Sequence, residues 1–376
     1  MKIAVIGAGV SGIVFAINRR MLYPEDKVYV FEHLDKALKK VLATGNGKCN
    51  IGNSVDITDQ YNEKIIKDIL SENNYYVQKE FLDSINIKTK LMGELSYPIS
   101  ESAVTVRNAL LKAVEKHHIK LKLETEVLDY QVLEDGIYLK TDKDEYTFDK
   151  LVFACGGKSS PKLGSDGSII LLLEKHHYKL KEFRPVLCPI CTKNKTKDAD
   201  GTRVKAKVTV YDGDTPVFEE LGEVMFKSDG LSGIVIFNAT RYLKEKKPYH
   251  IKIDLLPDIS KKELREFLIK HDKETLLATY LHPNLAKYIL KSNPMDKDLI
   301  DFYLKGFVFA YDHTYGFENS HVSAGGIKFS DVNENLESRI EKNVYFLGEL
   351  LNYDGPCGGY NLMWAIGSAL YLSKRM

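Results

Sequence analysis

The feature that most constrains the fold of this chain is its first 32 residues, which have the pattern strand, glycine turn, helix and strand. An apolar run over Lys2–Ile6 leads into Gly7-Ala8-Gly9-Val10-Ser11-Gly12, and a helical pattern then continues to Leu22. A second apolar run over Lys27–Phe31 is followed by Glu32. This Gly-x-Gly-x-x-Gly turn in a strand–helix–strand setting is typical of a βαβ unit that binds a dinucleotide. The sequence therefore predicts an α/β fold built on a parallel sheet.

Each glycine of the turn has its own expected role. Gly7 permits the tight turn, Gly9 lets the backbone approach a pyrophosphate, and Gly12 lets the helix pack closely on the strand. The free N–H groups and the dipole at the helix start favour phosphate. Glu32, which lies twenty residues after Gly12, is placed to accept hydrogen bonds from ribose hydroxyls. These residues alone do not distinguish NAD from FAD.

A second glycine turn near the end of the chain favours FAD. Asn343–Glu349 has the pattern of a strand that ends in Gly348-Glu349, and Gly358-Gly359-Tyr360 precedes a helical pattern. The ribityl chain and isoalloxazine ring of FAD extend beyond the pyrophosphate and need such a turn, whereas a plain NAD domain does not. Glu349 is placed for a ribityl hydroxyl, and the helix start for the negative charge of the reduced ring. The alternative is an NAD-dependent dehydrogenase with a docked C-terminal helix.

Composition excludes several classes of partner. The 376 residues include 53 Lys+Arg and 52 Asp+Glu, a net charge of +1, and only nine are Arg. Proteins that neutralise nucleic-acid phosphates carry a basic surplus, so we expect no nucleic-acid partner. We also expect no membrane span, because no apolar run reaches 18 residues. An odd set of five cysteines suits a reducing cytoplasm.

The pair Cys188-Pro189-Ile190-Cys191 raises the question of a zinc or redox site. Two cysteines supply only two ligands, whereas a structural zinc site needs four. The pair lies in an apolar run over Val186–Cys191 that predicts a single buried strand, and His176-His177 fall on a predicted helix without metal-ligand spacing. We therefore expect no metal and two small buried side chains.

Several segments together resemble a known family. They are Lys40–Asn50 (KVLATGNGKCN), Ser323–Ile327, Leu336–Arg339 and Leu347–Trp364. These segments resemble signatures of bacterial FAD-dependent flavoproteins, the BaiN-like NAD(P)/FAD-dependent oxidoreductases or aminoacetone oxidase family. The resemblance covers both ends of the chain well and the middle only by architecture.

This resemblance implies the fold class and the domain organisation. It implies an α/β protein with a discontinuous FAD-binding Rossmann domain of the glutathione-reductase type, an inserted β-barrel and a small helical subdomain. The expected FAD-binding domain consists of residues 1–187 and 306–376. The barrel-like insert is expected at residues 188–257, and its helical part at residues 258–305.

The resemblance and the glycine turns together imply the residues that bind the cofactor. These are Gly7, Gly9, Val10, Ser11, Gly12, Glu32, Lys40, Thr44, Gly45, Asn46, Gly47, Cys49, Asn50, Val127, Ala154, Gly156, Gly326, Gly348, Glu349, Gly358, Gly359, Tyr360 and Asn361. The chain departs from the family at Lys48, where Arg is usual, at Asn352, where Asp is usual, and at Cys155, where Thr is usual. Candidates for a catalytic group are His321, Tyr360 and Cys49.

The sequence thus predicts an FAD-dependent oxidoreductase that acts on a small molecule. The family resemblance implies an NAD(P)H-linked reductase of an enone-like substrate. Only one dinucleotide fingerprint is present, so we expect no second NAD(P)H domain, and NADH or NADPH would be a transient electron donor. One alternative is an oxygen-dependent amine oxidase of the aminoacetone oxidase type. Another is a flavin-binding partner protein without turnover. The oligomeric state is not predicted.

Overall fold

The structure is a computed structural model that describes residues 1–292 and 303–376. The chain forms two compact units. Met1–Arg184 and Val322–Met376 form the first unit, and Pro185–His321 form the second. The first unit is therefore built from both ends of the chain, and the second is a single insertion between them.

The first unit contains a five-stranded parallel sheet. Its central strand, Lys2–Ile6, pairs with Lys27–Phe31 on one side and with Lys150–Phe153 on the other. The two edge strands are Lys120–Lys122 and Val344–Phe346. The central strand is apolar and buried almost throughout, as expected for a parallel sheet that is covered on both faces.

Two helices with very different sequence positions pack together in this unit. They are Val10–Leu22, which follows the glycine turn, and Tyr360–Arg375, the C-terminal helix. The Asn18 side chain donates a hydrogen bond to Ser373 Oγ at 2.6 Å. The strand, helix and strand that the sequence predicted over residues 2–31 are confirmed with the same bounds.

Besides short 3-10 helices, the first unit contains four further α-helices, two three-stranded antiparallel sheets and one pair of strands. The helices are Lys64–Glu72, Tyr75–Ser84, Ala103–Lys116 and Ile169–Lys175. One antiparallel sheet consists of Gly52–Asn53, Leu95–Pro98 and Thr89–Met92, and another of Val127–Leu133, Gly136–Thr141 and Glu145–Phe148. The last two strands are Lys181–Val186 and Val322–Gly326.

The second unit contains a closed six-stranded barrel, which confirms the barrel implied by the family resemblance. Its strands, in barrel order, are Ile190–Thr192, Gly230–Ser232, Thr215–Lys227, Arg203–Asp212, Tyr249–Asp254 and Phe307–Thr314. Closure leaves no unpaired edge. The helices of this unit include Ile234–Ala239, Lys261–Lys270, Lys273–Tyr280 and Pro283–Ser292.

The structure differs from three details of the sequence analysis. The apolar run before Cys191 is two strands rather than one, because Leu187 has φ of +52° and breaks the extended backbone. The helix that was expected to carry His176 ends at Lys175. The strand Phe307–Thr314, which was predicted to lie in the returning FAD-binding domain, pairs with two barrel strands and closes the barrel.

Cys188 and Cys191 are buried and not in a disulfide.

Within residues 1–292 and 303–376, no helix is both long enough and apolar enough to cross a membrane. The same residues contain no cluster of three or more His, Cys, Asp or Glu side chains that could hold a metal ion.

Candidate cofactor site

The start of the first helix has the properties of an anion-binding site. Ile13 is the first residue whose N–H bonds back to the preceding turn, at 3.0 Å from the Gly9 carbonyl oxygen. Among the described residues, the N–H groups of Val10, Ser11 and Gly12 have no acceptor. A Cβ atom built at Gly9 would meet no heavy atom within 4 Å. Three free donors, a positive dipole end and open space therefore coincide, as a bound pyrophosphate requires.

Gly7 and Gly12 are needed for close backbone approach. Gly7 has φ of +104°, and its Cβ would lie 2.5 Å from the Ala154 carbonyl oxygen. A Cβ at Gly12 would lie only 2.1 Å from the Gly7 carbonyl oxygen. Real Cβ atoms do not approach oxygen so closely, so any larger residue at these positions moves the helix away from the sheet. Gly156, with φ of +75°, is confined in the same way by Ser165 Oγ.

Glu32 is fixed at the end of the second strand and directed towards the glycine turn. Its carboxylate accepts hydrogen bonds from the backbone N–H of Ala8 and of Leu34, both at 3.0 Å. A carboxylate can accept about four hydrogen bonds. His33 Nδ1 also lies 3.4 Å from one carboxylate oxygen. The remaining acceptor capacity fits the hydroxyl groups of an adenosine ribose, and the negative charge disfavours a 2′-phosphate there.

Lys40 and Glu349 are paired, although 309 residues separate them in the chain. Lys40 Nζ lies 2.8 Å from Glu349 Oε2 and 2.6 Å from Ser159 Oγ. The other oxygen of Glu349 accepts from Ser159 Oγ at 2.9 Å and from the Ser323 N–H at 2.8 Å. Lys40 and Glu349 were predicted from the sequence as cofactor-binding residues, whereas neither serine was. Ser323 begins one of the segments that resemble the family, and both serines lie beside glycine turns, Gly156-Gly157 and Gly325-Gly326.

The segment Thr44–Asn50 makes a tight reversal of the chain. Thr44 is extended, whereas Gly45, Asn46 and Gly47 have φ of 55°, 53° and 82°. Left-handed backbone at a non-glycine residue such as Asn46 is uncommon and requires support. The Cys49 N–H supports this backbone conformation, because it donates a hydrogen bond to the Thr44 carbonyl oxygen at 3.0 Å.

Cys49 does not have the environment of a reactive thiol. Its side chain is 1% exposed and, with Val10 and Ile51, lines a small apolar cleft. Burial raises its pKa to about 11, although a hydrogen bond with Thr44 acts in the opposite direction. Reactive cysteines carry lowered pKa values and are accessible. The geometry therefore favours Cys49 as a packing residue over a catalytic one.

The C-terminal helix begins at a second backbone turn with free donors. Gly358 and Gly359 have φ of +118° and +94°, and a Cβ at Gly359 would lie 2.7 Å from the Gly52 carbonyl oxygen. Met363 is the first residue whose N–H bonds back to this turn, at 3.0 Å from the Gly359 oxygen. The N–H groups of residues 360–362 have no acceptor in the part of the chain that the structure describes. This helix start is thus a second place for negative charge.

Side chains on both sides hold the second turn in place. The Asn361 amide accepts from the Gly355 N–H at 2.8 Å and donates to the Gly355 carbonyl oxygen at 2.9 Å. With its amide nitrogen directed to the Gly52 carbonyl oxygen, Asn50 accepts from the Gly359 N–H at 3.3 Å. Asn50 and Asn361 therefore support the turn through hydrogen bonds to its backbone.

Gly348 brings the two helix starts together. Its φ is +64°, and a Cβ there would lie 2.7 Å from Ser11 Oγ on the first helix. Its carbonyl oxygen accepts a hydrogen bond from Trp364 Nε1 of the C-terminal helix at 2.9 Å. The two glycine turns predicted from opposite ends of the sequence therefore meet in one place.

The other predicted site residues lie in different surroundings. Val127 begins a half-buried strand, and Gly326, with φ of +101°, lies against the Leu350 carbonyl oxygen. Tyr360 is buried as the first residue of the C-terminal helix, and burial raises its pKa to about 12. His321 is exposed in the second unit, with its ring edge-on to Phe237 at 5.2 Å. The catalytic candidates stay predictions.

Comparison with known proteins agrees with this geometry. The HI0933-like protein Rossmann domain family matches residues 1–375. The 3-dehydro-bile acid delta(4,6)-reductase of Clostridium scindens is 31% identical over an alignment of 403 positions, which covers 100% of this chain and 98% of the relative. The ribosomal RNA dihydrouridine synthase of Escherichia coli is 26% identical and covers 97% of this chain and 95% of its own.

Two solved structures show the same fold at low sequence identity. The E. coli quinol fumarate reductase FrdA aligns with a TM-score of 0.53 and 13% identity over 100% of this chain and 70% of its own. The 3-ketosteroid-delta4-(5alpha)-dehydrogenase of Rhodococcus jostii aligns with a TM-score of 0.51 and 13% identity over 99% and 96%. The joined helix starts, the open space at Gly9 and the fixed Glu32 fit FAD. The chain therefore belongs to the HI0933-like Rossmann family and is an FAD-dependent oxidoreductase.

Proposed function

We propose that this chain is an NAD(P)H-linked reductase that saturates a carbon–carbon double bond conjugated with a carbonyl group. The observation that carries the proposal is the bond change named in two relatives that align over nearly the whole chain. A 3-dehydro-delta(4,6) bile acid has a ketone conjugated with two double bonds. The uracil ring has a C5=C6 bond conjugated with its C4 carbonyl, and dihydrouridine lacks that double bond. The two names therefore describe one kind of reduction on very different molecules.

FAD, when bound, would supply the hydride for this reduction. In this chain, the N–H groups of Val10 and Ser11 would hold the pyrophosphate, Glu32 the ribose, and the Val127 backbone the adenine. The segment 44–50 would line the flavin, with its backbone held in the shape described above. The free N–H groups at Tyr360 would stabilise negative charge that develops beside them.

The Lys40–Glu349 pair sets the charge beside this site. Because Ser159 and the Ser323 N–H also bind the Glu349 carboxylate, its position is fixed before any ligand arrives. We propose that Glu349 orients a ribityl hydroxyl while Lys40 balances its negative charge. A preorganised pair of this kind avoids reorganisation during turnover.

We further propose a glutathione-reductase-type arrangement of the FAD-binding domain. One dinucleotide fingerprint is present in the sequence, so NADH or NADPH would bind transiently and leave before the substrate enters. The partner in this proposal is a small molecule, since the net charge of +1 gives little attraction for a polyanion.

The test is anaerobic reduction and reoxidation of the purified flavoprotein. We expect NADH or NADPH to bleach the flavin absorbance at about 450 nm, and 2-cyclohexenone or a 3-oxo-delta4 steroid to restore it without oxygen. Mass spectrometry of the product should show two added hydrogens. Bleaching by an amine alone, with recovery in oxygen and release of peroxide, would instead establish the amine oxidase alternative. Failure to bind FAD, in a sample shown to be folded, would contradict the cofactor assignment.

A further inference from the structure

Three aromatic rings stack beside the turn that begins the C-terminal helix. The Tyr353 ring lies between Trp364, at a centroid distance of 4.3 Å and an angle of 15°, and Tyr61, at 5.1 Å and 26°. Trp364 and Tyr353 are 1% and 3% exposed, whereas Tyr61 is half-buried. The stack therefore extends from the interior, where Trp364 binds the Gly348 carbonyl oxygen, towards the surface.

The two tyrosine hydroxyl groups of this stack form a pair. Their oxygens lie 2.9 Å apart, which is hydrogen-bond distance. A Cβ at Gly355 would lie 3.0 Å from the Tyr353 hydroxyl oxygen. The hydroxyl of Tyr353 therefore reaches the backbone at the beginning of the Gly355–Tyr360 turn, the turn that carries the free N–H groups of the cofactor site.

Packing does not explain these hydroxyl groups. A phenylalanine at position 353 would stack on Trp364 equally well. A buried hydroxyl costs free energy unless it is hydrogen-bonded, and even a bonded one adds only about 1 kcal/mol. A pair of phenols that connects the half-exposed Tyr61 with the buried Tyr353 is, however, what proton transfer between solvent and an enclosed site requires.

On the basis of the proposed function, we propose that Tyr353 donates the proton taken up during substrate reduction and that Tyr61 replaces it. Saturation of a conjugated double bond adds a hydride to the β carbon and a proton to the α carbon. The reduced cofactor, when bound, would supply the hydride. The Tyr353 O–H bond breaks as the C–H bond forms at the α carbon. The resulting phenolate takes the Tyr61 proton, and Tyr61 takes one from water, so the charges balance.

The test compares Tyr353→Phe and Tyr61→Phe with a matched control, Tyr75→Phe. Tyr75 packs against the same apolar cluster of Ile57, Tyr360 and Met363 as Tyr61 does. In anaerobic stopped-flow, Tyr353→Phe should slow flavin reoxidation by 2-cyclohexenone about 100-fold, the low end for loss of a general acid. Flavin reduction by NADPH and the FAD dissociation constant should stay within about twofold. Tyr61→Phe should cost less, because water can replace its hydroxyl.

A second readout does not depend on rate. In deuterated water the wild-type product should carry deuterium on one face of the α carbon, and Tyr353→Phe should lose that facial preference. Unchanged reoxidation and unchanged facial preference would overturn the Tyr353 assignment while leaving the proposed function intact. A fall in FAD affinity for Tyr353→Phe, or a loss of folding stability well beyond that of one hydrogen bond, about 1 kcal/mol, would show a structural role and also overturn it. If the wild type reduces no enone, the proposed function fails, and the proton donor with it.

Discussion

Two alanine substitutions in the first glycine turn should separate cofactor binding from folding. Gly9→Ala adds a methyl group where the protein leaves more than 4 Å of open space, and Gly12→Ala adds one 2.1 Å from the Gly7 carbonyl oxygen. We expect Gly9→Ala to fold normally and bind FAD poorly. We expect Gly12→Ala to be destabilised even without FAD.

The magnitudes follow from the backbone geometry. Gly9 has φ of −75° and ψ of −174°, which alanine adopts freely, so a stiffer unfolded chain adds about 0.4–1 kcal/mol of stability. Alanine is a poorer N-cap than glycine by about 0.5–1 kcal/mol, so the two effects nearly cancel. At Gly12 the contact is with backbone and cannot be relieved by a rotamer, so overpacking should cost about 1–3 kcal/mol or more.

The assays are urea denaturation of the apoproteins and FAD titration by flavin fluorescence. Gly9→Ala should unfold within about 1 kcal/mol of the wild type and lose at least about tenfold in FAD affinity, or about 1.4 kcal/mol. Wild-type FAD affinity in Gly9→Ala would refute the placement of the pyrophosphate at this helix start. Wild-type stability in Gly12→Ala would refute the close-packing argument.

Three further expectations concern buried charges and thiols. Asp26→Asn should lower the unfolding free energy at pH 7 by about 3–5 kcal/mol, because it leaves the buried Arg19 guanidinium without its anion. Burial raises the Asp26 pKa, but hydrogen bonds from the N-terminal ammonium and Arg19 outweigh burial and leave this pKa below its usual value. Urea titrations should therefore show the difference in unfolding free energy between wild type and Asp26→Asn above about pH 4. The difference should disappear in stronger acid. Native Cys49, with its pKa raised to about 11 by burial, should react with iodoacetamide at pH 8 about 100-fold more slowly than in the unfolded chain, as measured by mass spectrometry. A Lys40→Met and Glu349→Gln double-mutant cycle should give a coupling energy of about 1 kcal/mol in FAD binding, whereas additive effects would contradict their pairing.

Elements specified by local sequence could be predicted almost to the residue. The first helix begins at Val10, within the glycine turn, and ends at Leu22, as predicted. The C-terminal helix was predicted after Gly358-Gly359-Tyr360 and extends over Tyr360–Arg375. In both cases the signals, glycine at the start and an apolar periodicity after it, lie within a few residues of the element.

Features that depend on distant partners could not be predicted in this way. The alternation over Phe307–Thr314 is compatible with any half-buried strand, and only its pairing with Tyr249–Asp254 and Ile190–Thr192 places it in the barrel. Ser159 and Ser323 join the Glu349 carboxylate from positions 190 and 26 residues away. Serine at such positions has no periodicity, so its role becomes visible only when the backbone around it is known.

The choice of substrate lies outside the cofactor site altogether. A steroid dienone and a uracil ring undergo the same addition across a conjugated bond, so the residues that hold FAD do not select between them. What differs is how each molecule is held. RNA binding gains most of its affinity from phosphate neutralisation, and a chain with 53 basic and 52 acidic residues has little net charge for that purpose. An enone of steroid size instead gains affinity by burying apolar surface. Specificity therefore depends on the shape and polarity of the substrate pocket rather than on the chemistry of the flavin, which both reductions share.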